Sequence, residues 1–319
     1  MSATGEVRAT ARRDWAVLTA PLVLIGAGWG LTQPMAKIAV SEGYRHIGIV
    51  FWQLALGAVL LGAVCLVRGQ PLRTDARALR LMVLIALIGT ILPNGASYEA
   101  ARHLPSGWLS ITLSMVPLFA FPIALAWGID RFTWPRFGGL LLGLVGVAFL
   151  ALPVQAWITG DAELGTVTAA MALWLPLALV APALYALEGN VVARYGTAGM
   201  DPVQLLFGAS VVGAAISAPI ALATGTWIDP RPPWGAPDAA IVVASVVHAV
   251  VYACYVWMVG RAGAVFAAQV SYLVTGFGVI WAILLLGESY GAGFWLAMAC
   301  MFTGLFLVQP RPGGANGAR

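Results

Sequence analysis

The sequence predicts an all-α polytopic membrane protein, with ten transmembrane helices arranged as two five-helix inverted repeats around a central cavity. Composition is the first observation: of 319 residues, 61% are hydrophobic and only 9% charged, with mean hydropathy +0.89. A soluble domain carries about 25% charged residues, and so few charges would leave a soluble surface bare. Cytosolic enzymes, secreted domains and disordered chains are thereby excluded. The second observation is a series of apolar stretches of bilayer length, and the third is that the later five repeat the earlier five.

About 20 apolar residues cross a bilayer as a helix. Such stretches fall at 16–40, 47–68, 80–102, 106–128, 135–153, 171–194, 202–224, 238–260, 263–286 and 290–309. Turn chemistry separates them: Arg68-Gly69-Gln70-Pro71 closes the second and Asp229-Pro230-Arg231-Pro232-Pro233 the seventh. No period-two alternation occurs, which argues against a barrel. The first stretch is too long for a signal h-region and lacks a small-residue cleavage site, so it is read as a retained span. The organisation expected is a cytoplasmic tail 1–15, a first repeat 16–153, an external acidic loop 154–170, a second repeat 171–309 and a cytoplasmic tail 310–319.

Charge placement sets the orientation. With the N-terminus cytoplasmic, thirteen arginines fall inside, and only Lys37, Arg45, Arg102 and Arg231 fall outside. The pI of 9.2 does not signal nucleic acid, because the cations lie singly between apolar runs. Cys65, Cys254 and Cys300 occupy separate runs without metal-ligand spacing and read as small apolar fillers; no cofactor is expected.

A shift of 156 lays Trp29-Gly30-Leu31-Thr32-Gln33-Pro34 over Tyr185-Ala186-Leu187-Glu188-Gly189-Asn190, and Ser106-Gly107-Trp108-Leu109 over Ala262-Gly263-Ala264-Val265. A shift of 157 lays Tyr98 over Tyr255, and Asp130 precedes the fifth stretch as Glu288 precedes the tenth. Five spans are an odd number, so the second half enters the membrane with opposite polarity. That is a transporter architecture with its site near the midplane.

Polar groups at membrane depth are costly and mark functional candidates. Ser245, His248, Tyr252 and Tyr255 share one helical face of the eighth stretch. His248 reads either as an interior hydrogen-bonded histidine or as a cavity-lining donor and proton acceptor. Trp29, Gln33 and Lys37 form a face of the first stretch, where Pro34 removes a backbone hydrogen bond and opens the helix. Lys37 is read as snorkelling to headgroups, with a substrate carboxylate as its alternative partner. The third stretch contributes Asn94 and Tyr98, then Glu99, Arg102 and His103 as a local ion pair. The sixth contributes Tyr185 and Glu188; Glu188 either pairs with a neighbouring helix or binds protons or a substrate amine, so charge coupling is assigned to Glu188 and His248. Gln269 and Tyr272 are the bulky polar residues of the ninth, whereas Ser110, Ser114 and Thr275 are expected to bond their own helix backbone. Gly139 and Gly143, and Gly293, Ala297 and Gly304, make small-residue stripes for helix contact within the fold or across a dimer.

These features together resemble the drug/metabolite transporter superfamily in its ten-helix EamA-type form. Trp29-Gly30…Lys37 is similar to that family's first-helix pattern, and Tyr98-Glu99-Ala100-Ala101-Arg102-His103-Leu104-Pro105-Ser106 to its exit from the third helix. Pro117 sits where the family has a proline, and Gly287-Glu288 with Gly304 resembles its ending; Leu273-Val274 and Asp130 depart from the pattern. The resemblance implies a secondary carrier that exports small metabolites, with amino acids or related zwitterions foremost. It would sit in a bacterial-type inner (plasma) membrane, a monomer or weak homodimer in lipid, with both termini cytoplasmic. Efflux of cationic or amphiphilic drugs is the near alternative; an integral membrane enzyme or lipid-handling protein is the distant one. No P-loop and no His/Asp/Glu constellation is readable.

The charge split yields a test of topology. A reporter fused after residue 160 should read outside and one after residue 75 inside; the reverse at either position refutes the orientation.

Overall fold

The computed structural model of the protein describes residues 3–262 and 269–308, with side chains from residue 19 onward except those of Leu164, Val259, Gly260 and Ala262. The expected tail 310–319, the start of the ninth stretch at 263–268 and the Gly263–Val265 part of the repeat lie outside the described residues. Among those described, the regular elements are all helices: α1 (Ala3–Ala39), α2 (His46–Val67), α3 (Ala76–Ile85), a π-helical turn (Ala86–Ile91), α4 (Leu92–Ala101), α5 (Ser106–Leu113), α6 (Met115–Ala126), α7 (Trp134–Ala151), α8 (Val154–Thr159), α9 (Ala162–Ala172), α10 (Leu175–Tyr195), α11 (Pro202–Ala223), α12 (Ala236–Ala262), α13 (Val270–Leu286) and α14 (Ala292–Val308). Among the described residues, seven helical stretches are long and apolar enough to cross a bilayer: His46–Val67, Ala76–Ala101, Ser106–Ala126, Trp134–Ala151, Leu175–Tyr195, Pro202–Ala223 and Ala236–Met258. α13 and α14 are shorter apolar helices.

Three expectations need correction. The stretch 154–170, read as a loop, folds as α8 and α9, two short helices parted by Gly160 at φ +73°. In α9, alanines with Leu164 and Met171, and Glu163 in the first turn, favour that outcome. The tail 1–15 is helical from Ala3 onward, and α1 runs unbroken through Pro34. The carbonyl of Gly30, which loses its donor to that proline, is packed closely against Gly278 of α13.

Prolines act elsewhere. Pro93 cannot donate to the Gly89 carbonyl, and the helix there widens into the π turn before α4 begins. Pro117 cannot donate to Leu113, and the helix breaks at Ser114, whose hydroxyl and N–H both bond the Ile111 carbonyl at 2.7 and 3.0 Å. Asp75 and Asp201 cap α3 and α11 by accepting backbone N–H groups. The Ala78 N–H it accepts, aided by Arg73, holds the Asp75 carboxyl below the usual range against its own desolvation.

The halves interleave. α1 packs on α12 and α13, α2 on α11 and α12, α7 on α14, and α10 on α4 and α6. Each of these pairs joins the first half to the second. The small-residue stripes bring α7 and α14 backbone to backbone: a Cβ on Gly139 would stand 2.6 Å from the Gly304 carbonyl oxygen, so these glycines serve contact within the chain.

One turn between two spans ties the halves together. Lys37, expected to snorkel outward, instead donates to the carbonyls of Ala101 and Leu104 at 2.7 and 2.9 Å, capping the C-terminus of α4. Glu288 accepts the N–H groups of Ser106 at 2.7 Å and Gly107 at 3.1 Å, capping the N-terminus of α5, and the Tyr290 hydroxyl at 2.5 Å. A glutamine there could accept through one oxygen only. Glu288→Gln should therefore lower stability by about 1.5–3 kcal/mol, the worth of hydrogen bonds to a charged group. Thermal unfolding in detergent measures this; an unchanged midpoint would show that the clasp contributes nothing.

Candidate substrate cavity

The interleaved halves enclose a cavity of about 480 Å³. α1 lends Trp29, Thr32 and Gln33; α2 lends Gln53; the π turn and α4 lend Gly89, Thr90, Asn94 and Tyr98. α10 lends Tyr185 and Glu188, α12 Ser245, His248, Tyr252 and Tyr255, and α13 Ser271 and Thr275. Both halves thus contribute.

Most of the candidates named from sequence line this space: Trp29, Gln33, Asn94, Tyr98, Tyr185, Glu188, His248, Tyr252 and Tyr255. Two do not. Tyr272 turns its ring against Phe302 of α14, centroids 5.7 Å apart, because its position in α13 faces α14 rather than α1. Gln269 stands at the N-cap of α13, directly before Val270 and Ser271 of the lining, and is not itself among the lining residues. Several lining groups were missed, Gln53 and Thr90 foremost. Gln53 is a lone polar residue in its apolar stretch, without a second at helical spacing to draw notice; Thr90 stands four residues before Asn94, and that spacing could have found it.

One wall is aromatic. Trp29 lies 5.2 Å from the Tyr255 ring and 6.3 Å from His248, and His248 stacks on Tyr252 at 6.2 Å. The helical spacing of His248, Tyr252 and Tyr255 brings these rings to one face. Tyr and Trp rings can cover an apolar ligand surface or face a cation.

The other wall is polar and ordered. Tyr185 donates to Asn94 Oδ1 at 2.6 Å; Asn94 Nδ2 donates to Gln53 Oε1 at 2.9 Å; Tyr98 donates to the same oxygen at 3.2 Å. One turn from Tyr185, the Glu188 carboxylate lies directly over Gly89 in the π turn. Among the described residues no basic side chain pairs with it. The hydroxyls of Ser245 and Thr275 bond their own helix carbonyls, as expected of membrane-helix serines and threonines.

Outside the cavity, Glu99 gathers Arg102 at 3.3 Å, His103 at 3.7 Å and His46 of α2 at 3.2 Å, so the local ion pair expected there also takes in His46. His103 stacks on Trp174 at 3.5 Å, which ties the end of α4 to the start of α10. Asn190 donates to the carbonyls of Ala186 and Ala120 and holds α10 on α6.

Apolar helices around an internal polar cavity define a multi-pass membrane protein built to hold a small molecule. The model of the EamA-like transporter family matches residues 15–152 and again 172–309. The chain belongs to that family, whose members are transporters rather than enzymes. It is 25% identical over 203 residues to a chloroplastic WAT1-related protein of Arabidopsis thaliana, covering 63% of this chain and 45% of that one. It is 24% identical over 136 residues to a probable terminal-alkyne amino-acid exporter of Streptantibioticus cattleyicolor, covering 41% and 43%. The chain thus spans under half the length of either curated relative. A solved crystal structure shares the fold, with TM-score 0.60 and 15% identity over 92% of this chain and 97% of that one.

The contact between Gly89 and Glu188 can be tested directly. Alanine for glycine inside a helix ordinarily stabilises by about 0.5–1 kcal/mol. Here the added Cβ would fall 2.6 Å from the Glu188 Cδ. The carboxylate ends a flexible side chain and can move aside, so Gly89→Ala should raise the thermal midpoint by less than that ordinary gain, and Glu188→Ala in the same chain should recover the remainder. A Gly89→Ala effect that is the same with and without Glu188 would show that the carboxylate does not rest there.

Proposed function

We propose that this protein is a secondary carrier for small metabolites bearing an amino group, amino acids or related zwitterions foremost, and that it moves them outward by alternating access. The observation that carries this reading is Glu188, the acidic residue that lines the cavity, held over Gly89 and unpaired by any cation among the described residues. A buried carboxylate without a partner is costly in an apolar surround. An ammonium ion arriving with the ligand supplies the missing charge, and the Trp29, Tyr252 and Tyr255 rings accept the ligand's apolar part. The name of the Streptantibioticus relative agrees with the amino-acid class. The cavity is shared by both halves, so a relative movement of the halves would remake its walls, as alternating access requires. Both halves would sit in a bacterial-type inner membrane with the termini cytoplasmic, following the charge split.

The test is reconstitution. Purified protein in liposomes, offered labelled amino acids and amines, should take up members of both groups and leave uncharged analogues. Glu188→Gln should cut that uptake at least tenfold while Glu188→Asp keeps part of it, since an ion pair desolvated in a cavity is lost with either partner. Full uptake by a well-folded Glu188→Gln protein would overturn the assignment.

A further inference from the structure

A zwitterion has a second charge, and the cavity offers a group for it that charge counting overlooks. Gln53 sits in α2, in an otherwise apolar stretch, and reaches the cavity beside Asn94 and Tyr98. Its side-chain oxygen accepts twice, from Asn94 Nδ2 at 2.9 Å and from the Tyr98 hydroxyl at 3.2 Å. Asn94 is itself held, because its own oxygen accepts the Tyr185 hydroxyl at 2.6 Å. In this arrangement the oxygen of the Gln53 amide is consumed by the wall, and the NH₂ is left. That NH₂ makes no hydrogen bond among the described residues. A primary amide carries two donors on its nitrogen, and here both are without a protein acceptor in a space where lipid supplies none.

We infer that Gln53 is the specificity-determining residue for the acidic end of the substrate, its amide NH₂ donating to a carboxylate while Tyr98, Asn94 and Tyr185 hold the amide in that orientation. This deepens the reading of the cavity as an amine-binding site and rests on it. Tyr185 and Glu188 are three residues apart on one face of α10, so the relay that aims Gln53 begins one turn from the group that takes the ammonium. The cavity therefore presents an acceptor and an aimed donor through one connected set of side chains. It would prefer an amino acid to the amine that remains when the carboxyl group is removed. A neutral amide suits this task in a membrane interior, because it recognises a carboxylate without a buried cation that would need its own partner when the site is empty.

The probes are two matched pairs, L-phenylalanine with phenethylamine and L-leucine with isoamylamine, each competed for uptake into proteoliposomes. The readout is the ratio of acid to amine, which a general loss of folding or rate does not move. Wild type should favour the acid of at least one pair by about tenfold or more, the worth of one hydrogen bond to a charged group. Gln53→Glu, which accepts but cannot donate and repels a carboxylate, should invert that ratio. Gln53→Met, close in size but without donors, should bring it near one, and serves if Gln53→Glu does not fold. A wild type that moves amines as well as acids, or a Gln53 variant that keeps the wild-type ratio, overturns the carboxylate subsite and leaves the amine site standing. A wild type that moves neither member of either pair overturns the amine reading and this inference with it.

Discussion

Two charges, Lys37 and Glu288, hold the turn between α4 and α5, and the cavity depends on that turn. It brings together opposite helix poles: the last carbonyls of α4, which carry partial negative charge, and the first N–H groups of α5, which carry partial positive charge. Ala101, Leu104 and Ser106 are fully buried in the protein, so neither set can be left to water, and a buried group without a partner costs about 1–3 kcal/mol. A cation meets the carbonyl pole and an anion the N–H pole. The cation comes from α1, in the first half, and the anion from the segment before α14, in the second. The turn is thereby fastened to both halves, and it fixes where α4 presents Asn94 and Tyr98.

The same demand for backbone partners explains why the irregular helices are the ones at the cavity. Non-helical backbone at membrane depth is tolerated where it is buried in protein or lines a polar space. The π turn over 86–91 does the second, exposing Gly89 and Thr90 to the cavity. A glycine there lets a carboxylate from α10 approach the backbone more closely than any side chain would allow. The break at Ser114 does the first: the serine is fully buried and its hydroxyl serves the Ile111 carbonyl. Pro93 and Pro117 create both interruptions by withholding an N–H, which makes them determinants of the cavity's shape although neither lines it.

The fold was legible because its signals are long-range averages. Hydropathy over 20 residues marks a helix whatever its neighbours, and a repeat of five stretches survives low identity. The site was legible where polar residues recur at helical spacing, as His248, Tyr252 and Tyr255 do. It was not where a single polar residue depends on a distant partner. Gln53 means nothing alone in α2; it acquires a role only when Asn94 and Tyr98, more than forty residues on, meet its oxygen. Tyr272 failed for the converse reason, since a polar residue in a span with two buried faces can turn to either, and this one turns to Phe302. Lys37 failed because snorkelling and helix capping demand the same side chain, and only the path of α4 decides between them.

The repeat is unequal in its chemistry, and the inequality has an energetic sense. Glu288 reaches from the second half to α5 in the first. Asp130, its counterpart before the fifth stretch, has a side chain one methylene shorter and turns back within its own half to Arg136 and the N–H of Arg131. At that end the halves are joined instead by Arg68 with Asp201 at 2.6 Å, by Arg73 to the Ala198 carbonyl at 2.9 Å and by Arg194 to the Trp127 carbonyl at 2.6 Å. These contacts are exposed, and exposed ion pairs contribute roughly 0–1 kcal/mol and weaken with salt. The Lys37 and Glu288 contacts are partly buried, charge-assisted and aimed at helix poles, so each is worth more and is screened less. The halves are also tied at the Arg68 end by Gln204 of α11, which donates to the Pro71 carbonyl at 2.6 Å from a part-buried position. The two ends are thus fastened by different chemistry, charges on helix poles at one and mostly exposed arginine contacts at the other, and the sequence sets that difference in part through the length and partners of one acidic side chain in each half.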